Sequence, residues 1–327
     1  MNASTPRYPA TVMVSVVCPW NERFDLDEAV FRRAIQFTRG AGFTHIYVFG
    51  TAGEGYGVDT ARFRRVAEVL GDELLNTDAS PMVGVIAMSV PIVLERLRIA
   101  YDLGFRDFQI SLPSWSPLVD AEAFAFFREV CGAFPEARFM HYNSAKTGRV
   151  LTGSHYRRLV EENPNLVATK HMAGDLASVA SVVRDAPELM HYLTEQSVAY
   201  GSLFGQCAIL GTFGALAPKR EWDLLAAATE RRHTDAAAIG SWFERLGRDL
   251  FDPIMVDRRV DGAYDKTILK LVLDEFPLRM LPPYRTISDE EFAGAKRRLR
   301  EDYADHNEPW RGAPLATEAR EPAEMAR

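Results

Sequence analysis

The chain has 327 residues, 47% hydrophobic and 25% charged, the balance of a globular protein with room for one large α/β domain and an appendage, or for two average domains. Its net charge of −7 argues against nucleic acid or an anionic membrane as the main partner. No run is apolar and long enough to span a bilayer, and no signal-like apolar core is present.

From residue 11, short β-branched runs alternate with longer stretches of helical spacing. Residues 11–18 read as a strand stopped by Pro19. Residues 25–40 read as a helix, with Leu26, Val30, Phe31, Ala34 and Phe37 on one face, an acidic start and Gly40 as a stop. Strand 45–49 runs into Gly50-Thr51-Ala52-Gly53-Glu54-Gly55, followed by a helix at 60–75. The unit repeats as strand 82–86 with helix 91–103, strand 108–111 with helix 121–133, and strand 138–142 with helix 153–162. A sixth strand closes at Lys170, ahead of a Gly174-Asp175 turn and helix 176–184. Strand 189–193 precedes a helix expected over 198–210, and an eighth strand is expected over 213–217.

Eight alternations match an α/β fold of the (β/α)8 TIM barrel type, whose pocket opens at the carboxyl ends of the strands; a doubly wound open sheet is the alternative. The barrel core is assigned to 8–220. Residues 221–303 read as C-terminal helices, the last barrel helix plus an extension, over 221–250, 263–276 and 288–303. Residues 304–327, with Pro309, Pro314 and Pro322 among small and charged residues, are expected to form a disordered tail. The cysteines, Cys18, Cys131 and Cys207, are far apart and odd in number, which predicts neither a disulfide framework nor a zinc motif and fits a reducing, cytoplasmic compartment.

Lys170 is the leading chemical candidate. An amine in water has a pKa of about 10.4 and is protonated. An apolar surround disfavours the ammonium, and a neutral lysine condenses with a ketone to form a Schiff base. The plain alternative is a lysine snorkelling from a strand end. Tyr142 closes the neighbouring strand, where its phenol can pass protons to a bound substrate or simply pack. The turn at Gly50 offers backbone N–H groups and the Thr51 hydroxyl to an anion, or is only a tight connection; its glycine spacing is not a dinucleotide fingerprint. Gly214, with Gly211, can bring backbone to the pocket, although close packing of helix on strand is the favoured reading. The seven histidines show no ligand pairing, so no metal site is expected, and His171 is expected to face away from the lumen.

Together, Gly50-Thr51-Ala52-Gly53-Glu54, Tyr142-Asn143 with Thr147-Gly148, Ala168-Thr169-Lys170 with Gly174-Asp175, and Leu210-Gly211-Thr212-Phe213-Gly214 resemble the dihydrodipicolinate synthase / N-acetylneuraminate lyase family. The resemblance runs in order from about Tyr8 to Arg300. It implies a barrel with a C-terminal helical segment, a homo-oligomer (tetramer or dimer), and a Schiff base between Lys170 and pyruvate or a related 2-keto acid, without metal or organic cofactor. It implies Tyr142 as the proton shuttle, Thr51 with the backbone at Ala52 as the carboxylate site, and Gly50 beside them among the substrate-binding residues. Several departures narrow it. Ala52 stands where the family has a second threonine. The loop after Tyr142 is one residue shorter and lacks a proline. Lys146 is the nearest cation where synthases use an arginine, and a lysine cannot make the bidentate fork. Ser114 and Trp115 stand where a relay tyrosine is contributed across a dimer interface, and an indole has no acid–base proton.

The expectation is a class I aldolase or lyase acting on a 2-keto acid with an aldehyde or sugar-like second substrate that meets Ser114, Trp115, Lys146 and residues 196–205. It is not a typical lysine-pathway synthase. A keto-deoxy acid dehydratase or deaminase using the same imine, and a catalytically silent keto-acid binder, are the alternatives.

Overall fold

The computed structural model describes residues 7–172, 175–257 and 259–305. Eight parallel strands close into a barrel in sequence order: β1 (Val12–Ser15), β2 (His45–Val48), β3 (Ser80–Gly84), β4 (Asp107–Ile110), β5 (Arg138–Asn143), β6 (Leu166–His171), β7 (Met190–Thr194) and β8 (Ala208–Gly211). Outside them lie α1 (Glu28–Gly40), α2 (Thr60–Leu74), α3 (Val90–Asp102), α4 (Asp120–Ala133), α5 (Gly153–Glu162), α6 (Leu176–Asp185), α7 (Glu195–Gly201) and α8 (Pro218–Thr229). Then follow α9 (His233–Phe251), α10 (Asp261–Val272) and α11 (Asp289–Asp302). No helix among the described residues is long and apolar enough to cross a membrane.

The eighth strand differs from the sequence expectation. Closure runs through Val12↔Ile209, Met13↔Leu210 and Val14↔Gly211, so residues 208–211 form the strand and α7 stops at Gly201. A short apolar run looks alike in a buried strand and in a continuing helix, and periodicity alone cannot separate them. Residues 213–217, expected as strand, instead form the turn into α8, where Phe213 stacks on Phe243 and Phe251. The continuous helix expected over 221–250 is two helices, parted at Arg231, whose φ is +59°. Asp175 caps α6 by accepting from the Ser178 N–H at 2.7 Å. Gly174, and the tail beyond Asp305, lie outside the described residues.

Strand alternation sorts the side chains into two layers. Val12, Val14 and Val16 face the helices, while Met13, Tyr47, Met82, Met140, Ala168, Met190 and Tyr192 fill the lumen as a packed core. The amino end of the barrel is sealed. Tyr8 donates to Asp107 at 2.7 Å, Arg138 forks onto the same carboxylate at 2.6 and 2.7 Å, and its guanidinium lies 4.7 Å over the Tyr8 ring.

A second buried polar layer joins β5, β6 and β7 to α5 and α6. His141 Nδ1 meets the Tyr156 hydroxyl at 2.6 Å, and Thr169 meets His191 Nδ1 at 2.7 Å. His191 Nε2 donates to the Ala186 carbonyl at 2.8 Å, and His171 sits between Asn143 and Ser178. His171 thus faces α6 and not the lumen. Burial pulls the pKa of His141 down to about 3, and those of His171 and His191 to about 4. In the unfolded chain these rings take up a proton below about pH 6.5, while in the fold they stay neutral, so protonation favours unfolding. Stability is therefore expected to fall as pH drops from 6.5 towards 4, by up to about 1.4 kcal/mol per pH unit for each of the three rings. Urea midpoints measured at pH 7 and pH 5 test this, and equal midpoints would refute it.

Candidate active site

Lys170, one residue before the end of β6, stands on the inner face in register with Tyr142 on β5 and Tyr192 on β7. It is 4% exposed. Its amine lies 4.3 Å from the centre of the Tyr142 ring and 4.7 Å from that of Tyr47, and donates to the Tyr47 hydroxyl at 2.8 Å. Burial lowers its pKa to about 8; Asp265 and Asp261 pull it back up, and Lys146 pushes it down. At neutral pH roughly a tenth of such an amine is unprotonated, far more than at its ordinary value.

Tyr142 shares a 3.1 Å hydrogen bond with the Thr51 hydroxyl. Burial pushes the Tyr142 phenol up to about 12, opposed by the Thr51 contact, so it enters the site protonated. The turn that carries Thr51 is tightly wound. Phe49 and Glu54 have φ of +65° and +59°, and Gly53 and Gly55 approach the Phe49 backbone so closely that a Cβ would come within 2.6 and 2.5 Å of it. A Cβ on Gly50 would lie 2.9 Å from the Tyr47 ring and 3.3 Å from the Lys170 amine, so glycine keeps the space above the amine open. Among the described residues, the backbone N–H groups of Thr51 and Ala52 have no hydrogen-bond partner, which leaves them for an anion. The Ala52 methyl packs with Val17, Leu269 and Phe276, where a hydroxyl would be buried among apolar groups.

The turn is fastened from the C-terminal side. Glu54 and Lys266 are both fully buried and pair at 2.6 Å. Glu54 also accepts from the Trp20 indole and the Leu281 N–H, each at 2.7 Å, and Lys266 donates to the Arg279 carbonyl. This pair holds α10 against the barrel and brings Asp261 and Asp265 to the site. Asp261 pairs with Lys146 at 3.1 Å at the rim. Asp265 keeps some exposure through the cavity that it lines, yet protein encloses its carboxyl; burial first, then Asp261, push its pKa up to about 7.

Of the residues singled out in the sequence, the structure brings together Lys170, Tyr142, Thr51, Gly50 and the Ala52 backbone, with Lys146 at the rim. Two lie elsewhere. Trp115, 88% exposed, stands on the loop after β4, next to Ser114, which donates to the Met88 sulfur. A Cβ on Gly214 would meet Val14 at 2.6 Å and Phe43 at 3.3 Å, so Gly214 serves close packing on the outer side of β1 and not the pocket. Sequence reasoning missed Tyr47, Gln109 and Asp265. Gln109 is fully buried, its carboxamide has no partner among the described residues, and its Nε2 would lie 3.6 Å from a Cβ on Gly50, close to the amine. An amide between Phe108 and Ile110 in a buried strand is a visible signal, since a buried polar group needs a partner. Asp265 has none, being one charge on an amphipathic helix. Among the described residues no three His, Cys, Asp or Glu side chains converge to hold a metal ion.

A sequence model described as the dihydrodipicolinate synthetase family matches residues 8–265. An uncharacterized DapA-like lyase of Thermococcus onnurineus (strain NA1) is 25% identical over 302 residues, spanning 89% of this chain and 98% of that protein. An N-acetylneuraminate lyase of Escherichia coli (strain SE11) is 25% identical over 210 residues, 63% of this chain and 67% of that one. The crystal structure of YagE, a prophage protein of the dihydrodipicolinic acid synthase family from E. coli K12, in complex with pyruvate, superposes with a TM-score of 0.78 at 18% identity. It covers 89% of this chain and 97% of that one, a likeness of fold.

Removing one partner of a buried ion pair leaves the other charged and unpaired. Lys266→Met is therefore expected to cost about 3–5 kcal/mol in urea denaturation, and Glu54→Gln combined with Lys266→Met to recover part of that loss. A single-variant loss below about 1 kcal/mol would show that the pair does not hold this region together.

Proposed function

Because the chain belongs to the dihydrodipicolinate synthetase family, we propose that it is a lyase that forms an imine between Lys170 and pyruvate or a related 2-keto acid. The observation that carries the reading is the buried Lys170 amine, its pKa lowered to about 8, lying against the Tyr142 ring whose hydroxyl meets Thr51. The neutral amine attacks the keto carbon. Tyr142 moves a proton from nitrogen to the carbonyl oxygen to give the carbinolamine, whose hydroxyl takes up one further proton and leaves as water to give the protonated imine. That imine is an electron sink, so the bond between C3 and C4 can break, or C3 can add to an electrophile. The Thr51 hydroxyl and the N–H groups of Thr51 and Ala52 hold the carboxylate and so fix the reacting carbon above the amine. The lysine supplies the covalent step itself, so the reaction requires neither metal nor organic cofactor.

The second substrate, an aldehyde or sugar-like molecule, enters past Lys146 and Asp261. That ion pair is the rim's fixed charge, and it supports a substrate with hydroxyl groups over a dicarboxylic one. A second reading, a dehydratase or deaminase of a keto-deoxy acid through the same imine, is favoured by Asp265, because β-elimination needs an acid for the leaving group. We also read the chain as a homo-oligomer, dimer or tetramer, in which a partner covers the exposed Met88, Trp115 and Val119. Three free, buried thiols fit a cytoplasmic setting.

Incubation with pyruvate and sodium borohydride, followed by intact-mass measurement and peptide mapping, is expected to give a stable adduct on the peptide containing Lys170, and none on Lys170→Ala. If neither pyruvate nor longer 2-keto acids give an adduct on the wild-type protein, the lyase reading falls. Retained keto-acid affinity in Lys170→Ala would then mark a silent binder.

A further inference from the structure

The Lys170 amine has polar neighbours on two sides. On one, Tyr142 meets the hydroxyls of Thr51 and Ser144, neither of which titrates near neutrality. On the other, the amine donates directly to Tyr47 at 2.8 Å, the shortest polar contact it makes among the described residues. The Tyr47 phenol is in turn met by the Ser15 hydroxyl, a contact that opposes the effect of burial on the phenol. Ser15 and Asp265 both line a small cavity between the carboxyl ends of β1 and β8 and α10. The negative charge of Asp265 reaches both Tyr47 and Lys170.

We propose that Lys170 has a second proton path, running from its amine through the Tyr47 and Ser15 hydroxyls and across the cavity that Ser15 shares with Asp265 to its carboxyl. Tyr47 is a catalytic residue, because it touches the reacting nitrogen, and Asp265 acts through it as the proton reservoir. The proposal rests on the imine reading of Lys170.

The cycle balances. The resting pair is an ammonium and a carboxylate. One proton passes from Lys170 to Asp265, each hydroxyl on the way taking one and giving one, to leave a neutral amine and a carboxylic acid. The amine forms the C–N bond, and the carbonyl oxygen takes the proton that the nitrogen sheds. The proton stored on Asp265 then returns through Tyr47 to the departing hydroxyl, which leaves as water while the nitrogen lone pair closes the protonated C=N bond. The sum is ammonium plus ketone giving iminium plus water, with Asp265 again a carboxylate.

The first transfer is feasible because burial moves the two groups towards each other. The amine falls to about 8 and the carboxyl rises to about 7, so their exchange lies within about a factor of ten of balance, against about six powers of ten for the ordinary values. The charged groups facing Asp265 are Asp261 and Glu195, which favour its protonated form, and Lys170 and Lys146, which favour its ionised form.

The test follows imine formation with pyruvate by borohydride trapping in a rapid-quench series from pH 5.5 to 9, for wild type, Asp265→Asn, Tyr47→Phe and the double variant. The wild-type rate is expected to rise through about pH 7 as Asp265 ionises. Asp265→Asn and Tyr47→Phe are each expected to lose that limb and to slow formation at pH 7 by on the order of 10²-fold. Acting in series, the two changes together are expected to slow it no more than either alone. Thermal melts establish that the variants fold. If Asp265→Asn does not, Asp265→Glu, which keeps a carboxyl, is expected to retain the limb while Tyr47→Phe loses it. A wild-type adduct with an unchanged rate and pH profile in Asp265→Asn, or multiplicative losses in the double variant, would overturn the path alone. Absence of any wild-type adduct would overturn the imine reading and this path with it.

Discussion

The buried pair of Glu54 and Lys266 is the constraint from which the site follows. Two charges taken out of water are seldom worth their desolvation, and an apolar pair of the same volume is often as stable. What this pair specifies is position. Glu54 sits in the left-handed backbone region, which is unfavourable for a residue with a Cβ, and it holds three donors from three parts of the chain: Trp20 after β1, Lys266 on α10 and Leu281 beyond it. No apolar side chain can satisfy those donors at once. The turn carrying Thr51 and the helix carrying Asp265 are thereby fixed to each other, and both to the barrel rim.

The chemistry then rests on a contest between burial and charge at Lys170. Two carboxylates at α10 act to keep the amine protonated, and Lys146 opposes them, yet burial outweighs the carboxylates and the net movement is downward to about 8. The lumen explains this. Met13, Met82, Met140, Ala168 and Met190 fill the layers around and below the amine, and the lock of Tyr8, Asp107 and Arg138 closes the amino end. The nearest polar groups are hydroxyls and an amide, which orient the amine without supplying a counter-charge in contact. A carboxylate in direct contact would hold the proton.

How much could be read from the chain alone follows from how local each signal is. The first seven strands were legible because each is a short run with β-branched or aromatic residues, most of them ended by a breaker. The eighth was not, because the helical spacing carries on through the stops at Gly201 and Gly205 into Ala208-Ile209-Leu210, and its pairing with β1 makes that run a strand. Lys170, Tyr142 and Thr51 were legible because they stand at strand ends within recognisable turns. Tyr47 lies three residues before Gly50 on the lumen side of β2, where an aromatic reads as packing. Gly214 was ambiguous in sequence, since glycine marks close approach without saying what approaches. Asp265 was out of reach: it is 95 positions from Lys170, and only the docking of α10 brings the two charges together.

That last case changes what the C-terminal helices are. In sequence they look like an appendage following a finished barrel. In the structure α10 supplies Lys266, which anchors the Glu54 turn, Asp261, which holds Lys146 at the rim, and Asp265, which faces the amine. It also supplies Leu269 to the cluster that takes the Ala52 methyl. The departures from the family pattern at Ala52 and Lys146 are thus both contacts with the same helix. A threonine at 52 would put a hydroxyl into that apolar cluster, and an arginine in place of Lys146 would meet Asp261. These substitutions are therefore better understood as one adjustment of the rim to α10 than as separate losses, and the polar groups absent from the turns reappear on the helix that covers them.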